Sequence, residues 1–257
     1  MIVADTLIVL PTFDELDNLE GMLGRLRQAV PEADVLIVDD SSPDGTGELA
    51  DRLAHDDAGV TVLHRPRRQG LGRAYLEGFE LARESGYVFA VEIDADGSHD
   101  PADLPAMLEL ARRGADLVIG SRWVPGGSVR NWPWIRLAIS RVGNLYSRLM
   151  LGSEVSDLTS GFRVLNLATL GEIAATPIAS QGYCFQVELA WTFERRGATV
   201  VEHPIVFSER RLGRSKMHIG IVVEALWRVT VWGIGRTVPR GDRESGSGRR
   251  AQRNPRR

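Results

Sequence analysis

The chain has 257 residues, 43% of them hydrophobic and 25% charged, which are globular proportions that exclude wholesale disorder. A single cysteine, Cys184, excludes an internal disulfide framework and any multi-cysteine metal site, and favours a reducing compartment. The net charge of −3 conceals an arginine-rich end over residues 239–257. The remaining body is therefore distinctly acidic, which excludes a protein that coats nucleic acid.

The opening MIVADTLIVL has no basic region before its short apolar run, so it does not read as a secretory signal. Short β-branched runs predict strands at Thr6–Leu10, Val35–Asp39, Val60–His64, Val88–Ile93 and Asp116–Ser121. Between them, apolar periodicity predicts helices over Glu15–Ala29, Gly45–Ala54, Gly70–Ser85 and Pro101–Arg113. Pro101 suits a first helical turn, with Asp100 as its N-cap. Alternating strands and helices imply a mostly parallel sheet flanked by helices on both faces, with a crevice at the carboxyl ends of the strands.

Beyond Ser121 the rhythm changes. A helix is predicted over Ile135–Leu151, with Ile135, Ile139, Val142, Tyr146 and Leu149 on one stripe and Arg141 and Arg148 on its flank. Further helices are expected over Asn166–Ala174 and Gln186–Arg196, then a strand at Thr199–Phe207. The last helix, Met217–Gly235, carries Trp227 and Trp232 but is interrupted by Glu224 and Arg228. No stretch approaches the roughly 18 uninterrupted apolar residues of a membrane span. The reading is one catalytic domain over residues 1–238 and a disordered arginine-rich tail over 239–257.

The most informative segment is VEIDADGSHDP, where Asp94 and Asp96 follow directly on a strand. Two carboxylates one residue apart can share a hard divalent cation with a diphosphate; the bland alternative is turn chemistry, although Asp100 already supplies a cap. A second pair, Asp39 and Asp40, ends another strand in VLIVDDSSPDGT and should face the same cleft. Four unpaired carboxylates there would repel, calling for a cation or for hydrogen-bond donors. In PTFDELDNL, Pro11 would fix the loop. Phe13 would lie against a base or cover the core, and Glu15 would accept from a nucleotide or sit in a first helical turn.

The Gly-punctuated RPRRQGLGRAYLEGF is not GxGxxG, and no P-loop is present. Basic candidates for phosphate are Arg122 in GSRW, Arg136, and Arg210, Arg211, Arg214 and Lys216 in ERRLGRSKM, a segment that would serve as a lid or be a solvated basic loop. The five histidines show no metal-ligand spacing and read as surface or turn residues, with His99 nearest the site; Cys184 reads as a small buried hydrophobe. Glu92, inside a strand, has no evident role.

Taken in order, PTFDELDNL, VDDSSPDGT, GLGRAYLEGF, IDADGSHDP, GSRW, NWPWIR, SDLTSGFR and ERRLGRSKM resemble the polyprenol (dolichol) phosphate mannose synthases, in particular the actinobacterial polyprenol monophosphomannose synthase catalytic domains. The resemblance spans about Asp5 to Ile219. It implies an inverting family-2 glycosyltransferase with a GT-A-type nucleotide-sugar-binding fold: α/β, a mostly parallel sheet flanked by helices, and C-terminal amphipathic helices.

The implied donor is GDP-mannose, the acceptor a polyprenyl phosphate and the cofactor Mg²⁺ or Mn²⁺. By position, Pro11, Phe13, Glu15, Val38 and Asp40 would hold the guanosine. Asp94, Ala95 and Asp96 would meet ribose, diphosphate and metal, with Ser98 beside the metal. Arg210 and Lys216 would grip the donor diphosphate, Arg122 and Arg136 would face the acceptor phosphate, and Asp157 would lie near the sugar in an orienting role. Phe13 stands where Tyr is common, and Ser98 where some relatives have Gln.

An acceptor that is already an anion needs no strong general base. A lipid acceptor implies a cytoplasmic enzyme lying peripherally on the inner face of the membrane, held by its amphipathic helices and arginine-rich tail. The bland reading is that both helices pack on the core. Some related enzymes carry C-terminal spans, so a separate membrane-anchoring protein is a further expected partner. The alternatives are the same reaction with UDP-glucose or another nucleotide sugar, and a non-catalytic nucleotide-sugar-binding subunit.

Overall fold

The computed structural model describes residues 4–173, 183–209 and 219–237. Strands and helices alternate through the first half: β1 (Thr6–Thr12), α1 (Leu19–Ala29), β2 (Asp34–Asp39), α2 (Thr46–Asp56), β3 (Val60–His64), α3 (Leu71–Glu84), β4 (Phe89–Glu92), α4 (Leu104–Arg112) and β5 (Leu117–Ser121). The second half holds β6 (Ser128–Arg130), α5 (Trp134–Leu151), β7 (Arg163–Asn166), α6 (Leu167–Ile173), α7 (Tyr183–Arg195), β8 (Val200–Pro204), β9 (Val206–Ser208) and α8 (Ile219–Thr237).

Seven strands form one sheet in the order β3-β2-β1-β4-β7-β5-β8. All are parallel to their neighbours except β7, which runs antiparallel between β4 and β5. The inner strands read as continuous apolar runs because the sheet is covered on both sides there. On β1, Leu7 and Val9 enter one core cluster with Val38, Tyr75 and Phe79, while Ile8 and Leu10 enter the other with Leu26, Ile37 and Val91. Asp100 caps the turn at Pro101–Asp103, accepting from the Ala102 N–H at 3.1 Å, as expected; that turn is 3₁₀ and α4 follows it.

Three expectations about elements are corrected. The first helix begins at Leu19 rather than Glu15, because residues 14–16 are tied sideways to the neighbouring loop: Asp14, Glu15 and Leu16 N–H groups donate to Ser42 Oγ, Thr46 Oγ1 and Asp44 Oδ2. The strand expected over Thr199–Phe207 divides into β8 and β9. Pro204 has no N–H to continue the ladder, and beyond it the chain turns from β5 to pair with β6 in a small parallel sheet. The central strand β7 was not expected at all; Asn166 ends it and the helix starts at Leu167.

Helix α5 is built the opposite way to an ordinary amphipathic helix of a core. Its buried residues are Asn144, Ser147 and Leu151, whereas Ile135, Ile139, Val142 and Leu149 of the apolar stripe are exposed, Leu149 by 71%. Only Tyr146 of that stripe turns inward, its hydroxyl meeting Thr230 of α8. Helix α8 packs Trp232 against Trp191 and likewise exposes Trp227, Val231 and Ile234. The reading that both apolar faces pack on the core is therefore corrected. No described helix is long and apolar enough to cross a membrane. The tail over residues 239–257 lies outside the described residues.

Candidate active site

The parallel strands end on one side of the sheet, and the loops leaving β1, β2, β4 and β5 carry most of the expected site residues. Because β7 is antiparallel, the loop that enters it, residues 157–162, arrives at this same edge.

At the first end, the β1 and β2 loops are clamped together by the three N–H donors described above. Pro11 and Val38 are paired neighbours in the sheet with buried side chains, so they offer the cleft only main chain; Ala95 is buried in the same way. Glu15 Oε2 accepts from Asn18 Nδ2 at 2.8 Å. The Arg68 guanidinium lies 3.9 Å from the centre of the Phe13 ring, and Phe13 belongs to neither core cluster.

The acidic pair Asp39/Asp40 is not unpaired. Asp39 accepts from Thr12 Oγ1, Ser42 N and Ser42 Oγ. Asp40 takes Arg65 Nη1 at 2.7 Å and the N–H groups of Gln69 and Gly70 at 3.0 Å. Arg65, itself buried, also binds Glu77. The expected repulsion is thus relieved by the protein's own donors, and Asp40 organises the loop over residues 65–70.

After β4, Asp94 is half-buried and Asp96 is buried. Tyr75 Oη donates to Asp94 Oδ1 at 3.1 Å. Burial first, then the charges of Asp94 and Glu92, raises the Tyr75 pKa well above its ordinary range, so the phenol stays a donor. Asp96 Oδ1 accepts from the Ser98 N–H at 2.9 Å. Ser98 Oγ is buried with no hydrogen-bond partner. Among the described residues no group of three or more His, Cys, Asp or Glu could cage a metal. Two carboxylates and one unpartnered hydroxyl are nonetheless the hard-oxygen set that suits a cation whose other ligands are water and phosphate oxygens. His99, expected as a surface or turn residue, lies in the loop after β4 but is buried, its ring 5.2 Å from Phe162 and 5.0 Å from Phe207. Cys184 is buried as expected, which raises its thiol pKa to about 11.

Asp157 is wholly buried and grips Arg122 at two points, Oδ2 to Nε and Oδ1 to Nη2, both 2.6 Å; it also accepts the Arg122 main-chain N–H at 3.0 Å. Burial alone would raise the Asp157 pKa, but the charge and hydrogen bonds of Arg122 outweigh it and leave the carboxyl below its ordinary range. Thr159 Oγ1 accepts from Arg122 Nη2 and from Asn144 Nδ2 of α5. Arg136 stacks 4.2 Å from the centre of the Trp132 ring, and Arg122 lies 5.5 Å from the same ring, so the two arginines expected at the acceptor phosphate share one indole. Arg210 and Lys216 lie outside the described residues.

Sequence reasoning missed Arg163, and with it the reason for Glu92. The two stand opposite each other across the β4–β7 pair. Arg163 is fully buried and donates to the carbonyls of Ser160, Gln186 and Leu158 at 2.8, 2.8 and 2.9 Å, so it ties the 157–162 loop to α7. Glu92 is 3.7 Å from Arg163 Nε, beyond hydrogen-bond reach, and its burial outweighs the Arg163 charge and raises its pKa to about 8. The only sequence signal was a charged residue in each of two apolar runs. Replacing Arg163 with Met should leave the buried loop carbonyls of Leu158 and Ser160 unpaired and destabilise the fold by about 3–5 kcal/mol. Urea denaturation should show that loss, and hydrogen exchange should quicken first in residues 157–162.

Comparison with known proteins agrees with this geometry. The glycosyl transferase family 2 model matches residues 7–173. The chain is 49% identical over 230 residues to the polyprenol monophosphomannose synthase of Mycolicibacterium smegmatis, covering 89% of this chain and 87% of that one. It is 54% identical over 228 residues to the undecaprenyl-phosphate mannosyltransferase of Micrococcus luteus, covering 89% and 93%. Among solved structures, a mannosyltransferase from Pyrobaculum calidifontis in complex with GDP-Man and Mn²⁺ superimposes with a TM-score of 0.55 at 17% identity, covering 82% of this chain and 58% of that one. On the sequence match and the fold together, the chain belongs to glycosyl transferase family 2.

Proposed function

We propose that this protein transfers mannose from GDP-mannose to a polyprenyl phosphate with inversion at the anomeric carbon, giving a β-mannosyl phosphoryl polyprenol. The observation that carries this reading is the state of Asp157. With both oxygens engaged by Arg122 and its pKa lowered, it is unsuited to removing a proton and suited to aiming a guanidinium. A site that orients an anion and holds no base in that place fits a phosphate acceptor better than a sugar hydroxyl. Arg122 Nη1 is the guanidinium nitrogen that Asp157 and Thr159 leave unused.

Asp94, Asp96 and Ser98 would hold a Mg²⁺ or Mn²⁺ ion, whose contribution is to neutralise charge building on the departing diphosphate. Tyr75 keeps Asp94 in place. The Pro11, Phe13, Glu15 and Asp40 loops would receive the nucleotide. Arg210 and Lys216 would close on the diphosphate.

The exposed apolar stripes of α5 and α8, flanked by Arg141, Arg148 and Arg228, support a peripheral seat on an anionic leaflet at the inner face of the membrane. A separate anchoring protein would add to that seat.

The test uses the full chain, polyprenyl phosphate in anionic vesicles, labelled GDP-mannose or UDP-glucose, and Mg²⁺ or Mn²⁺ with a chelator control. Label should reach the lipid from GDP-mannose alone, and only with metal. Val142→Asp with Leu149→Asp should lower both vesicle binding and transfer. Transfer from UDP-glucose would overturn the donor, and no transfer from either would overturn the reaction.

A further inference from the structure

The Arg122 guanidinium sits inside a ring of aromatic side chains, its central carbon 5.4 Å from the Trp123 ring centre, 5.5 Å from Trp132 and 5.4 Å from Phe207. Two further guanidinium groups use the faces of the same indoles, Arg136 on Trp132 at 4.2 Å and Arg141 on Trp123 at 5.1 Å. Cations on the ring faces leave the ring edges, and the indole N–H lies in the edge. Both indole nitrogens, Trp123 Nε1 and Trp132 Nε1, are buried without a hydrogen-bond partner, as is Arg136 Nε.

An indole N–H can only donate, and a buried donor with no acceptor is costly. Three such donors gathered around one arginine are therefore an arrangement completed by a ligand that brings several acceptor oxygens at once. Carboxylates in the cluster are already committed, Asp157 to Arg122 and Glu209 to Arg136. A phosphate monoester has three terminal oxygens and carries the opposite charge to the surrounding guanidiniums.

We infer that Trp123 and Trp132 are acceptor-binding residues, whose indole N–H groups donate to the phosphate oxygens of the polyprenyl phosphate beside Arg122 and Arg136. The acceptor's identity rests on the function proposed above; the anion-binding role of the indoles does not. Neutral donors fix the direction of the phosphate without adding charge, so they sharpen its orientation for attack while the arginines supply the attraction.

The experiment uses the full chain with ¹⁵N-labelled tryptophan and farnesyl phosphate, a water-soluble polyprenyl phosphate, in the absence of any nucleotide sugar. Of the six indole N–H resonances, the two that disappear in Trp123→Phe and Trp132→Phe should move downfield on titration. Farnesol should move neither, and inorganic phosphate should move both in the same direction at higher concentration. In turnover, each Phe variant keeps an aromatic ring and loses the donor. The KM for farnesyl phosphate should rise roughly tenfold, the loss of one hydrogen bond to a charged group, with the KM for GDP-mannose unchanged.

Stationary indole resonances on titration with farnesyl phosphate would overturn the inference, and so would Phe variants whose acceptor KM stays at the wild-type value. If the wild-type chain turns over no nucleotide sugar, the proposed function fails by itself, and the titration still decides whether the indoles bind phosphate.

Discussion

Asp96→Asn should lose mannosyl transfer by about a thousandfold or more while keeping the wild-type melting temperature, because it removes the charge proposed to answer the metal and retains an acceptor for the Ser98 N–H. Asp96→Ala should lose the same activity and also melt lower. Asp96 is buried, and without its oxygen the Ser98 N–H has no partner in the turn, a penalty of about 1–3 kcal/mol. The two variants separate chemistry from scaffolding. Titration with Mn²⁺, followed by its electron paramagnetic resonance signal, should show weakened binding in both. An Asn variant with turnover within tenfold of wild type and an unchanged metal requirement would refute the assignment of Asp96 to the metal.

The second large effect is expected at Asp157. Asparagine in its place sets an amide N–H against the Arg122 guanidinium and leaves a buried cation without its counter-charge. Breaking a buried pair in this way costs about 3–5 kcal/mol. Activity should fall roughly a hundredfold or more, with the loss in the acceptor KM and in turnover, because a 1 Å misplacement of a positioning group suffices for that. Binding of GDP should be unchanged, a split that mere destabilisation would not produce. The pH dependence carries a defined sign. The folded pKa of Asp157 is lowered, so the pair's stabilisation is fully present above the ordinary carboxylate range and is lost as pH falls through the lowered value. The wild type should therefore lose stability on acidification more steeply than Asp157→Asn, in urea titrations run from neutral pH downward.

The limits of what could be read in advance are physical. The strands β1 to β5 and the helices between them were legible because each repeats its apolar residues with one period, and because all of these strands except the edge strand β3 are buried on both faces. The carboxylates at the strand ends were legible for the same reason: a parallel sheet delivers its strand ends to one edge, so Asp40 and Asp94 could be brought together with no knowledge of the loops. β7 was hidden. It is four residues long and contains a buried arginine, and its place in the sheet depends on Glu92 across the ladder and on carbonyls from Leu158, Ser160 and Gln186. Nothing local to FRVLN announces those partners. The helix α5 was legible as a helix with an apolar stripe, but periodicity alone does not say whether such a stripe faces a core, a lipid surface or solvent.

The amino-acid sequence by itself determined the α/β class, the sheet edge that carries the site, the acidic residues after β4 and the family resemblance, because these follow from periodicity, from strand direction and from ordered short motifs. Only the tertiary structure decided what each charge is for. It showed that Asp40 holds Arg65 and the loop beyond it, that Asp157 holds Arg122 from 35 residues away, and that Glu92 is buried, its pKa raised, beside an arginine committed to backbone carbonyls. It also showed that the polar side of α5 faces inward and the apolar side outward. Charges act over a few ångströms through whatever dielectric surrounds them, and both the distance and the burial come into being only when segments distant in the chain are packed together.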